Sequence, residues 1–69
     1  MSEHEHDYTI RDEGTIILLW PVSDEAVGWV EEYLPADRIR WGGATVIERR
    51  YFPAIFAGLA GEGLVGRRA

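Results

Sequence analysis

The sequence predicts a small α+β domain: a three- to four-stranded, antiparallel-dominated sheet carrying two helices, in the order ββαββα. Three observations lead there. Two pairs of extended segments are each joined by a short glycine-bearing turn, the mark of β-hairpins. Two further segments show helical spacing behind a capping residue or a proline. The length, 69 residues, allows one domain and is close to the lower size at which a chain buries a useful core alone.

Residues 1–7 are polar, charged and aperiodic, and are expected to be a disordered acidic tail. Tyr8-Thr9-Ile10-Arg11 alternates apolar and polar, and Asp12-Glu13-Gly14 supplies turn chemistry. Thr15-Ile16-Ile17-Leu18-Leu19-Trp20 is apolar at successive positions, as expected of a central strand covered on both faces. Pro21 lacks the N–H that a ladder needs and ends it.

Ser23 is a good N-cap, and Asp24 and Glu25 in the first turn favour the helix dipole. The helix is expected to run to Leu34, where Pro35 stops it. Ala26, Val27, Val30, Tyr33 and Leu34 share one side, the expected buried stripe, while Asp24, Glu25, Glu31 and Glu32 take the opposite side. Trp29 falls on the boundary between them.

Arg38-Ile39-Arg40-Trp41 and Ala44-Thr45-Val46-Ile47-Glu48 flank Gly42-Gly43, which fits a second hairpin or a bulge in one bent strand. A second helix begins near Tyr51, with Pro53 tolerated in its first turn and Ile55, Phe56, Leu59 and Ala60 as its apolar face. The small residues Ala57-Gly58-Leu59-Ala60-Gly61 suit either tight packing on the sheet or close approach of another helix. Gly61 and Gly63 end the helix, and Leu64-Val65 either adds a short strand or packs. The domain is thus expected over residues 8–66, with residues 67–69 frayed.

Composition narrows the chemistry. There is no Cys and no Lys, and the only two His, His4 and His6, stand in the tail, so a His-centred acid/base site in the folded body is excluded. His4-Glu5-His6-Asp7 has metal-binding residue types, but a floppy tail offers nothing to orient the ligands, and no metal is expected. Ser23 is spoken for as a cap. Gly42-Gly43 lacks the Lys and helix start of a phosphate loop. No catalytic residue, cofactor or enzyme activity is expected. No run reaches the length of a membrane span and the first residues are acidic, so a cytoplasmic protein is expected.

The net charge of −5 conceals a division. Residues 1–37 hold ten acids and one base (−9); residues 38–69 hold six Arg and two acids (+4). Arg38, Arg40, Arg49, Arg50, Arg67 and Arg68, interleaved with Trp41 and Tyr51, resemble a miniature nucleic-acid stripe, but pairing with the acids of the first half fits the overall charge better. The expected contact surface is therefore acidic: Asp12 and Glu13 at a hairpin tip, Asp24, Glu25, Glu31, Glu32 and Asp37 on the first helix and its exit, and Trp29 as the aromatic anchor. Such a surface suits a basic protein partner and repels nucleic acid.

All seven bases are Arg, and Ala and Gly are abundant, as in proteins from GC-rich bacterial or phage genomes. In size, acidity and lack of catalytic groups the chain resembles small phage-encoded anti-defence proteins, including anti-CRISPR inhibitors. The resemblance is one of character across the whole chain and transfers no functional residue. It implies a non-enzymatic inhibitor acting in a bacterial host cell as an acidic DNA mimic. The implied partner is a basic subunit of a type I surveillance complex, bound by a monomer or weak dimer. The alternative is a regulatory accessory module, antitoxin-like or homodimeric, without DNA mimicry.

Overall fold

The computed structural model describes residues 6–69. The expectations for residues 1–5, His4 and Glu5 of the metal-type cluster among them, lie outside the described residues. The chain is α+β. Strands β1 (Tyr8–Asp12) and β2 (Ile16–Pro21) form the first hairpin, and helix α1 (Asp24–Tyr33) follows. Strands β3 (Arg40–Trp41) and β4 (Ala44–Glu48) form the second hairpin, and a 3-10 turn, Arg49–Tyr51, leads into α2 (Phe52–Gly61). A last strand, β5 (Gly66–Arg68), completes a five-stranded mixed sheet in the order β3-β4-β2-β1-β5.

β2 lies at the centre, antiparallel to both β1 and β4, as its continuous apolar run requires. The β3–β4 connection is a hairpin, not a bulge: Trp41 pairs with Ala44 across a two-residue turn. Gly42 and Gly43 sit at φ 54° and 83°, a left-handed pair that matches strand twist and that residues with a Cβ adopt at a cost. α1 starts on Ser23, whose Oγ accepts the Ala26 N–H at 3.1 Å, a cap worth about 1 kcal/mol. It ends at Leu34, held in an extended conformation ahead of Pro35.

The register fixes which side chains share a face. Tyr8 and Ile10 on β1, Ile17 and Leu19 on β2 and Ile47 on β4 point toward the helices. There they enclose Ala26 and Val30 of α1 and Leu59 of α2. Leu19 and Leu59 are completely buried, each contributing about 1.5–3 kcal/mol of transfer free energy. Two members of the expected α1 stripe are not buried: Val27 is 41% and Tyr33 59% exposed. The helix is rolled so that Ala26 and Val30 face the sheet, leaving these two along its flank.

Both chain ends differ from expectation. Asp7, expected in the disordered tail, is a junction of the fold. Its carbonyl accepts the Val22 and Ser23 N–H groups at 2.8 and 3.0 Å, and its carboxylate accepts the Val65 N–H at 2.8 Å. His6 is placed as well, its Nε2 3.0 Å from Thr9 Oγ1. At the other end, Gly66–Arg68 does not fray but pairs in parallel with β1, and Ala69 donates its N–H to the Ile10 carbonyl at 2.7 Å. This is the fifth strand and the one parallel pairing of a sheet expected to have three or four.

Candidate functional site

The acidic residues singled out from sequence fall into two groups in the fold. The first is neutralised within the chain. Asp12, at the end of β1, is bound by the Arg49 guanidinium and accepts the Gly14 N–H at 2.8 Å. The Arg49 hydrogen bond, then the Gly14 N–H, hold its carboxyl below the ordinary carboxylate range. Glu13 pairs with Arg11 at 2.5 Å. Glu31 receives Arg38 at 2.9 Å and lies 3.8 Å from Arg40. The Arg-rich half thus answers part of the acidic half, as charge balance suggested.

The second group, Asp24, Glu25, Glu32 and Asp37, has no cation paired with it among the described residues, and neither has Glu62. Three of these, Glu25, Glu32 and Glu62, line one cleft of about 360 Å³ together with Trp29, Tyr33 and Leu64. The helical period explains half of the convergence: Glu25, Trp29 and Glu32 stand at i, i+4 and i+7, so α1 presents them on one side. Glu62 arrives from the end of α2, where the chain turns toward β5. In sequence it is one of two acids in the basic half, and no spacing signal links it to α1.

Trp29 is seated rather than free. Its ring lies against Gly58 of α2, where a Cβ would stand 2.7 Å from Trp29 Cζ2. It also packs on Tyr33, ring centroids 5.1 Å apart with planes tilted by 38°. The half-buried indole therefore forms the floor of the cleft, and the exposed Tyr33 is its reachable aromatic wall. At Gly58 the missing side chain makes room for the Trp29 ring of α1.

Asp12 and Glu13 do not join this cleft. They stand at the β1–β2 turn, while α1 begins at the far end of β2, a six-residue strand roughly 20 Å long. Asp24 stands just before Glu25 in the first turn of α1, and Asp37 lines a different cleft, with Arg38, Ile39 and Thr45. The expected surface is therefore divided: two of its carboxylates, Glu25 and Glu32, line one cleft with Glu62 and the others stand apart, not one continuous field.

Ser23 is buried with its hydroxyl engaged in the cap, so it offers no nucleophile. No group of three or more His, Cys, Asp or Glu suited to a metal ion occurs among the described residues. No helix among them is long and apolar enough to cross a membrane. What the cleft can do chemically is hold a cation: carboxylates on its rim supply charge, and the Trp29–Tyr33 pair supplies π-faces. No protein-family model, curated protein or solved structure matches this chain.

Proposed function

We propose that this chain is a non-enzymatic inhibitor that binds a basic, DNA-binding protein surface and blocks it as an acidic mimic of DNA. The observation that carries this reading is the convergence of three carboxylates without in-chain cations, Glu25, Glu32 and Glu62, around the Trp29–Tyr33 pair. A lysine or arginine that serves phosphate on the partner enters the cleft, stacks on Tyr33 and is ringed by carboxylates. Displacing the partner's bound anions in this way competes directly with DNA. Asp24, in the first turn of α1, adds to the negative charge of that helix and helps steer the encounter. The partner class is a bacterial defence complex, a type I CRISPR surveillance complex foremost.

Titration of purified type I surveillance complexes with the chain across a salt series tests the proposal, with DNA binding as the second readout. Binding that weakens steeply with salt and excludes DNA is expected. The triple variant Glu25→Arg/Glu32→Arg/Glu62→Arg is expected to lose at least about 100-fold in affinity, in keeping with several lost charge contacts. Salt-independent binding, or a triple variant that still excludes DNA, overturns the mimic.

A further inference from the structure

The helices cover one face of the sheet; the other carries no layer of this chain among the described residues. Cross-strand register assembles that open face in rows. One row runs Trp41, Ala44, Trp20, Thr9, Arg67 from β3 to β5, and the next Ile39, Val46, Leu18, Arg11. Beyond them, Ile16 is flanked by Glu48 and Glu13. At its centre Leu18 and Ala44 are already covered by their neighbours, 4% and 0% exposed, and the open apolar part lies toward the β3 edge, where Ile39 is 69% and Trp41 61% exposed beside a depression of about 290 Å³. A strand apolar on both faces, as β2 is from Ile16 to Trp20, is built for a layer on each side, and the chain supplies one.

We infer that a second copy of this chain supplies the other layer, in a twofold dimer packed open face to open face. The charge layout selects this occupant. The rim carries both signs: Arg11 and Arg67 lie along the β1–β5 side, and Glu13 and Glu48 lie at the end where β1 turns into β2, paired there with Arg11 and Arg50. A twofold axis running diagonally between the facing sheets sets the Arg side of each copy over the carboxylate end of the other. The strands then cross near 90°, a standard orthogonal packing of sheets. The exposed pairs Arg11–Glu13 and Arg50–Glu48 contribute little where they stand and are free to exchange partners.

Single-stranded nucleic acid fits the same face less well. Trp20 is laid against the β3–β4 turn, its indole N–H donating to the Gly42 carbonyl at 3.1 Å, so Trp41 is left as the one free stacking platform. Two carboxylates on the rim repel phosphate. Edge-to-edge pairing is also disfavoured, because the edge strands β3 and β5 have two and three residues. Five strands of two to six residues, about 4.8 Å apart, give a projected face of roughly 330 Å², small beside the roughly 800 Å² per partner of a standard interface. The dimer is accordingly weak and concentration-dependent. It leaves both α1 clefts facing outward, so that two cation sites act together on one partner.

Sedimentation equilibrium from micromolar to millimolar chain tests the inference. The wild-type chain is expected to pass from monomer to dimer over this range. Ile39→Glu and Trp41→Glu, both at exposed positions, are expected to raise the dimer dissociation constant at least about 30-fold with unchanged circular dichroism. Glu25→Arg/Glu32→Arg, on the opposite layer, is expected to leave it unchanged. Should a Glu variant unfold, concentration-dependent amide shifts in the wild-type chain decide: they are expected at Thr9, Leu18 and Val46. A chain monomeric at millimolar concentration, shifts confined to the helices, or saturable binding of a single-stranded oligonucleotide that Trp41→Glu abolishes overturns it.

Discussion

The ring of Tyr8 lies across Gly66, its register partner in the parallel β1–β5 pair, so closely that a Cβ on Gly66 would come 2.7 Å from the phenol oxygen and nearer still to the ring. Tyr8 is 1% exposed, and the glycine is the space its side chain fills. The aromatic ring covers a bare strand position and ties the last strand to the core.

Gly66→Ala is therefore expected to destabilise by about 1–3 kcal/mol, the range for forcing an extra carbon into a packed site. The loss should be local first. Hydrogen exchange at the Ala69 amide, which donates to the Ile10 carbonyl, should quicken well before exchange at β2. An unchanged Ala69 rate would mean that β5 holds by backbone pairing alone.

A second glycine gives a prediction whose sign discriminates. In a helix interior Gly→Ala ordinarily stabilises by up to about 1 kcal/mol. At Gly28, midway along α1 with open space where the Cβ would go, that gain is expected in full. At Gly58 the new carbon meets the rigid Trp29 ring, and the overpacking cost of about 1–3 kcal/mol exceeds the gain. Urea midpoints of the two variants should shift in opposite directions. Gly58→Ala should also redden Trp emission as the indole is pushed out of its seat.

These two glycines mark where the sequence is legible and where it is not. Local signals announce local geometry: the cap at Ser23, the stops at Pro21 and Pro35, and the turn at Gly42-Gly43 all stand where their chemistry places them. β5 is different. Gly-Arg-Arg has no apolar alternation, and its place depends on Tyr8, far away in sequence. Trp29 reads as a boundary residue on a helical wheel, since nothing within α1 reveals that Gly58 makes room for it. The cleft divides the same way: Glu25 and Glu32 are visible from helical spacing, whereas Glu62 joins them through the packing of α2 alone.

Asp12 gives a pH dependence with a definite sign. Its folded pKa lies below the ordinary 3.8, because Arg49 and then the Gly14 N–H stabilise the carboxylate. The folded chain thus binds this proton less readily than the unfolded chain. The contribution to stability is complete above about pH 4 and is lost as pH falls through the depressed folded value. Asp12→Asn keeps an acceptor for Gly14 and removes the charge. The stability difference between wild type and variant, present at neutral pH, should close in strong acid and shrink with salt, as both partners are exposed. A difference that stays constant through the acid transition would assign the effect to shape rather than charge.

Arg38 and Glu31 separate the acids that hold the fold from those available to a partner. The Arg38 side chain is only 6% exposed, and its guanidinium ties three elements together. Nε donates to Thr45 Oγ1 of β4 at 3.2 Å, one terminal nitrogen to the Pro35 carbonyl at 2.9 Å and the other to Glu31 of α1 at 2.9 Å. A lysine ammonium cannot span that fork, so Arg38→Lys is expected to cost about 1–3 kcal/mol despite keeping the charge. Glu31 is 60% exposed, and Glu31→Gln, which still accepts one of those bonds, should cost less than about 1 kcal/mol. Glu31→Arg sets a third cation beside Arg38 and Arg40 and should lower the thermal midpoint, whereas Glu32→Arg, one residue along, replaces a carboxylate with no ion pair among the described residues and should leave it nearly unchanged. Paired melting and binding measurements on these two variants distinguish the roles: Glu31→Arg should act mainly on stability and Glu32→Arg mainly on partner affinity. Equal effects of both on melting would place Glu32 in the folding network and out of the cleft.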